Sequence, residues 1–209
     1  MSMKAIARRL GVSVGSVSLW TRDIELTPEQ IAALATRNHR LGGQRRGQRA
    51  RAEGALVRRL ISQLEGRALA RRGDMLHQAG CMLYWAEGAK SRNRVVLVNS
   101  DPHMLRFFKR FLKECYAVED DRFAFSVNCY VNNGLSLDEI EGHWLTVLDL
   151  PRECLRKATI NNPSRSSKQL KRNLPYGTGR LEVCSTVIVQ SIYGAIQEYA
   201  GFEESSWIR

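Results

Sequence analysis

Between residues 74 and 200 the apolar residues switch period several times, and this alternation restricts the fold more than any other feature of the chain. A helically spaced run from Asp74 to about Ala89 precedes Arg94-Val-Val-Leu-Val-Asn99, a continuous apolar run of strand length. Ser100 or Asp101 then caps a helix from His103 to Tyr116, with Leu105, Phe108, Phe111 and Leu112 on one face. Phe123-Ala-Phe-Ser-Val-Asn-Cys-Tyr-Val131 alternates with period two, as a half-buried strand does. Ser136-Leu-Asp-Glu139 has the capping-box spacing and opens a helix through Trp144 to Leu148. Arg156 to Ile160 and Gly179 to Val183 read as two more strands joined by a basic hairpin loop, and Thr186 to Ala200 reads as a closing helix. The order α, β, α, β, α, β, β, α specifies an α+β domain, expected over residues 73–205 around an antiparallel sheet.

The N-terminal third carries no strand pattern. Ile6, Ala7 and Leu10, then Val12, Val17 and Trp20, space out as two short helices sharing one core. Ala7 is small where the helices cross, Gly11 suits a left-handed turn, and Ser13 is a good N-cap for the second helix. This pattern resembles the helix-turn-helix of resolvases and many bacterial repressors. The resemblance implies that the helix from about Ser13 to Trp20 enters the major groove of DNA. Ser13, Val14, Gly15, Ser18 and Leu19 would then face bases or phosphates, while Val17 and Trp20 pack inward. No arginine stands in this helix, so bidentate readout of guanine is not expected from it.

Thr27-Pro-Glu-Gln30 is a helix start, and a helix from Pro28 to about Arg37 completes an all-α DNA-binding domain over residues 1–37. The usual unit has a helix before the pair; either this third helix substitutes for it or the start lies upstream. Residues 38–54, rich in Gly and Arg, read as a linker whose Arg45, Arg46, Arg49 and Arg51 suit phosphate contacts. Leu56, Ile61, Leu64 and Leu69 then recur at helical spacing, giving a basic linker and connecting helix over 38–72.

Charge distribution points the same way. Residues 1–72 hold fifteen Lys and Arg against five acidic residues, whereas residues 73–209 hold seventeen against sixteen. The net charge of +11 is therefore local, and a polyanion is the natural partner for the first third. No run of about 18 apolar residues and no secretory signal pattern is present, so a soluble, cytoplasmic, nucleoid-associated protein without a membrane partner is expected. Five scattered cysteines, none in a CxxC pair, read as reduced thiols.

Gly80-Cys-Met-Leu-Tyr-Trp-Ala-Glu-Gly88, followed by Lys90, a strand, Asn99-Ser-Asp-Pro102 and a helix, resembles the LAGLIDADG homing-endonuclease domain. The resemblance covers about 125 residues. It implies that small motif residues let two such helices pack at a two-fold axis and that Glu87 holds the position of the acidic metal ligand. Met82 and Trp85 depart from the family's usual Gly and Asp. A single motif implies a homodimer, with Gly80, Leu83, Tyr84 and Gly88 at the interface. A Mg²⁺-dependent nuclease needs several carboxylates, and besides Glu87 few stand in matching places; Asp101 reads as a cap and Asp120 and Asp121 as turn residues. The basic residues Lys168, Lys171, Arg172 and Arg180, with Arg156 and Lys157, suit a second DNA-contacting surface.

Bacterial regulators of the WhiA type also join a LAGLIDADG-like domain to a helix-turn-helix, in the reverse order. The expectation is thus a homodimeric, sequence-specific transcription regulator that binds double-stranded DNA, has lost cleavage and needs no cofactor. The alternatives are a metal-dependent endonuclease acting through Glu87, with Mg²⁺ as cofactor, and a DNA-architectural or recombination accessory protein. No small-molecule site is legible.

Overall fold

The computed structural model describes residues 3–130, 134–161 and 174–208, with only the backbone described over 34–46. By its internal contacts the chain divides into two units, Met1–Ala52 and Glu53–Arg209. A 43-residue helix, α3 (Pro28–Ala70), gives its first part to one unit and its second part to the other.

The first unit begins with α1 (Met3–Leu10) and α2 (Val14–Trp20). Gly11, at φ +66, turns the chain out of α1, and the Val12 N–H donates back to the Ala7 carbonyl at 3.1 Å, closing a Schellman-type end. Ser13 caps α2 by accepting from the Ser16 N–H at 3.0 Å. Ala7 and Val17 are buried at the crossing. Leu10 and Trp20, expected to pack inward, are instead exposed, because on helices of eight and seven residues both fall at the ends, beyond the crossing. Thr27 and Gln30 cap α3 reciprocally, with Pro28 in its first turn.

The linker expected at 38–54 is not a break in the secondary structure, since α3 runs straight through it. Each glycine there costs about 1 kcal/mol relative to alanine, but the Arg, Gln, Leu and Ala around them are strong helix formers and no proline interrupts.

The second unit is α+β. From the second part of α3 it continues through α4 (Met75–Glu87), β1 (Val95–Asn99), α5 (Pro102–Tyr116), β2 (Phe123–Cys129) and α6 (Leu137–Leu148). It ends with β3 (Thr159–Ile160), β4 (Thr178–Val183) and α7 (Thr186–Ala200). The strand order is β1-β4-β2-β3. The sheet is mixed rather than antiparallel: β4 runs antiparallel to β1 and β2, but β3 pairs in parallel with β2. The expected β3–β4 hairpin is absent among the described residues, because β2, α6 and β3 form a crossover unit, and a helical crossover returns the chain parallel.

Alternate residues of the three longer strands, including Leu97, Phe125, Val127, Leu181 and Val183, are buried in one core with Leu105, Phe108 and Phe111 of α5, Trp144 of α6 and Ile192 of α7. Each of these large side chains contributes roughly 1.5–3 kcal/mol on burial. Asp74, Asp101 and Ser136 cap α4, α5 and α6. The α3 and α7 backbones nearly touch. A Cβ added at Gly66 would lie 1.8 Å from the Ser191 carbonyl oxygen, and one at Gly194 would lie 2.0 Å from that of Gln63. Around this crossing Gln63 donates to Gln190 at 2.8 Å and accepts from Gln197 at 3.2 Å, so the buried amides satisfy one another.

Candidate nucleic-acid interface

The first unit's α1–α2 pair owes its orientation to the turn at Gly11 and to Val17, which is fully buried, and Ala7 beneath it. The side of α2 away from that contact carries Val14, Gly15, Ser18 and Leu19, all exposed, with Leu19 at 62% and Val14 at 43%. Ser13 is exposed too, but its oxygen already accepts the cap bond and lies 2.9 Å from the Ser16 hydroxyl. Lys4, Arg8 and Arg9 on α1 and Arg22 after α2 are exposed. Among the described residues every ion pair lies in the second unit, and Lys4, Arg8, Arg9 and Arg22 make none. An uncharged helix face flanked by exposed cations can approach a polyanion closely without burying a carboxylate.

The basic residues expected downstream fare unevenly. Arg49 and Arg51 are exposed on α3. The side chains of Arg45 and Arg46 lie outside the described residues, as do Lys168, Lys171 and Arg172. Arg180 lies on β4 opposite Val98 and Ser126 and is engaged by Glu182 at 2.5 Å, while Arg94 holds the other oxygen of that carboxylate at 2.9 Å. Its charge is thus met within the sheet. Arg156 is exposed and bonds the Glu153 and Leu155 carbonyls.

The motif helix α4 turns its small residues into its own domain. A Cβ at Gly80 would lie 2.2 Å from the Phe111 ring, and one at Gly88 would lie 2.3 Å from the Tyr84 ring. Tyr84 is fully buried, stacked on Phe108, with its hydroxyl donating to the Ala89 carbonyl at 2.5 Å. Burial pushes that phenol well above its ordinary range. Gly80, Tyr84 and Gly88 therefore serve an intramolecular core and do not present the close-packing face expected of a dimer interface; Leu83 is half-buried against the same core. Glu87 is exposed. Among the described residues no group of three or more His, Cys, Asp and Glu side chains could hold a metal ion. All five cysteines are free, Cys184 alone being exposed.

One basic feature was not read from the sequence. His103, Arg106, Arg110 and Lys113 recur at helical spacing along α5 and line a cavity of about 560 Å³. The spacing was legible, but the apolar face of the same helix drew the reading. The cavity is partly self-neutralised. Lys113 and Lys109 pair with Asp120 at 2.7 and 2.9 Å, and Lys113 first, then Lys109, holds that carboxyl below its usual range. Buried Lys109 also donates to the Leu148 carbonyl at 2.9 Å, tying α5 to the end of α6.

Comparison of the chain with protein families, with curated proteins and with solved structures finds no match. Among the described residues no helix is long and apolar enough to cross a membrane.

Proposed function

We propose that the chain is a sequence-specific DNA-binding protein that reads the major groove with α2, and that its role is transcription regulation. The observation that carries this reading is the outward face of α2, where Val14, Gly15, Ser18 and Leu19 stand exposed above the buried Val17, beside the exposed cations Lys4, Arg8, Arg9 and Arg22. The apolar side chains suit contact with thymine methyl groups, and the serine suits either a base edge or a phosphate. Phosphate contacts from Lys4, Arg8, Arg9 and Arg22 supply affinity without sequence information.

The test is capture of genomic fragments by the purified chain in Mg²⁺, with retained fragments and cut ends read together. Enrichment of a defined site with intact ends, lost in Leu19→Glu while the circular dichroism spectrum is retained, is the expected result. Retention without sequence preference would replace the regulator by an architectural protein. Defined cut ends that vanish in Glu87→Gln would make the chain a nuclease.

A further inference from the structure

The second-unit part of α3 is built inside out. Its inward face is small and polar: Gly66, Ala70, Ser62 and Gln63 are buried, Arg59 and Arg67 are half-buried, and Arg67 reaches Gln197 at 3.2 Å and Glu203 at 2.7 Å. Its outward face is aliphatic: Val57, Leu60, Ile61 and Leu64 are 52, 41, 49 and 64% exposed. A helix on the surface of a soluble domain normally does the reverse, and contiguous large aliphatics facing water mark an interaction surface.

The spacing of the outward face identifies its occupant. Gly54, Val57, Ile61, Leu64 and Ala68 follow one another at intervals of three, four, three and four, the a and d positions of a heptad repeat. Such a seam is complementary to another helix with the same repeat, and a second copy of this chain supplies one. Taking Gly54 and Ile61 as a positions and Val57 and Leu64 as d, the flanking g positions are Glu53 and Leu60 and the e positions Arg58 and Glu65. In a parallel pair the g residue of one helix meets the e residue five positions on in the other. Glu53 of each copy therefore meets Arg58 of its partner, twice by symmetry. Neither residue makes an ion pair among the described residues, so both charges are available.

We propose that the chain dimerises through this face of α3, as a short parallel coiled coil of the two copies. The close-packing residues of α4 face inward, so the two-fold contact lies on α3 and not on the motif helix. Parallel pairing brings both chains into the dimer from the same end, and it stands whether or not α2 binds DNA, because it is read from the mass of the chain and of its charge-exchange variants.

Multi-angle light scattering on the full chain across a dilution series is the test. The intact chain is expected at twice its monomer mass of 23.7 kDa. Ile61→Glu with Leu64→Glu, both at exposed positions, is expected to retain the helical spectrum and to weaken association at least about a hundredfold, because four carboxylates would meet unpaired at the seam. Glu53→Lys or Arg58→Glu alone should weaken it several-fold, and the two together should restore it. A monomer at tens of micromolar, a dimer that survives the double glutamate variant, or a charge exchange without rescue would each overturn the proposal.

Discussion

His77 shows how one side chain couples the core to pH. It is buried on α4 between two phenols, with Nδ1 2.8 Å from the Tyr199 hydroxyl and Nε2 3.1 Å from that of Tyr116, and Cys81 lies a turn away. Burial lowers its pKa against the opposing charge of Asp74, so the folded chain holds the imidazole neutral. Below about pH 6.5, the value of a free imidazole, the unfolded chain takes up a proton that the folded chain does not, and stability falls as the pH is lowered through that value. The thermal midpoint is therefore expected to drop between pH 7.5 and 5.5, and to drop less in His77→Gln. Equal slopes in both proteins would show that His77 does not titrate with unfolding. The sequence showed His77 on a helix but not its partners, because Tyr116 and Tyr199 lie 39 and 122 residues away and only the tertiary fold brings them together.

Elements set by local rules were legible, and those set by long-range packing were not. The capping box at Ser136 and Glu139, the Asp101 cap and the alternation along Phe123–Cys129 each involve neighbours in sequence, and each element forms where those signals put it. The partner of β3 was misread because strand pairing depends on where α6 deposits the chain, which no residue between Arg156 and Ile160 encodes. The motif of α4 was legible as a stripe of small residues, but whether Phe111 or another copy fills that stripe is decided only by the placement of α5. Continuity of α3 through 38–54 was not legible because glycine-rich composition resembles a linker; farther along the same helix, Gly66 is where α3 meets α7. Gly66→Ala forces a methyl group into the Ser191 backbone and is expected to cost about 3 kcal/mol or more, since backbone cannot rotate away as a side chain does. Gly142→Ala on α6, where a Cβ meets nothing within 4 Å, should instead stabilise by roughly 0.5–1 kcal/mol. Urea unfolding of the two variants reads both signs, and equal effects would contradict the α3–α7 crossing.

Across the whole molecule, folding and function draw on different residues. The second unit holds the ion pairs found among the described residues, including those of Arg71 with Glu198, Arg94 with Glu182 and Lys113 with Asp120, and it carries the large core. The first unit buries only Ala7 and Val17 among its described hydrophobic side chains and holds Lys4, Arg8, Arg9, Arg22, Arg49 and Arg51 exposed. That division makes a quantitative expectation for DNA binding. Each phosphate neutralised by a cation contributes about −0.9 to the slope of log K against log salt on duplex DNA. Arg49 and Arg51 are exposed on α3. If both touch phosphate, Arg49→Gln with Arg51→Gln flattens the slope by about 1.8 while leaving the preferred site unchanged, because backbone contacts carry no sequence information. Leu19→Glu, by contrast, should abolish the preference among sequences. An unchanged slope in the double glutamine variant would remove α3 from the interface and leave the cations of α1 and Arg22 to account for the whole electrostatic attraction.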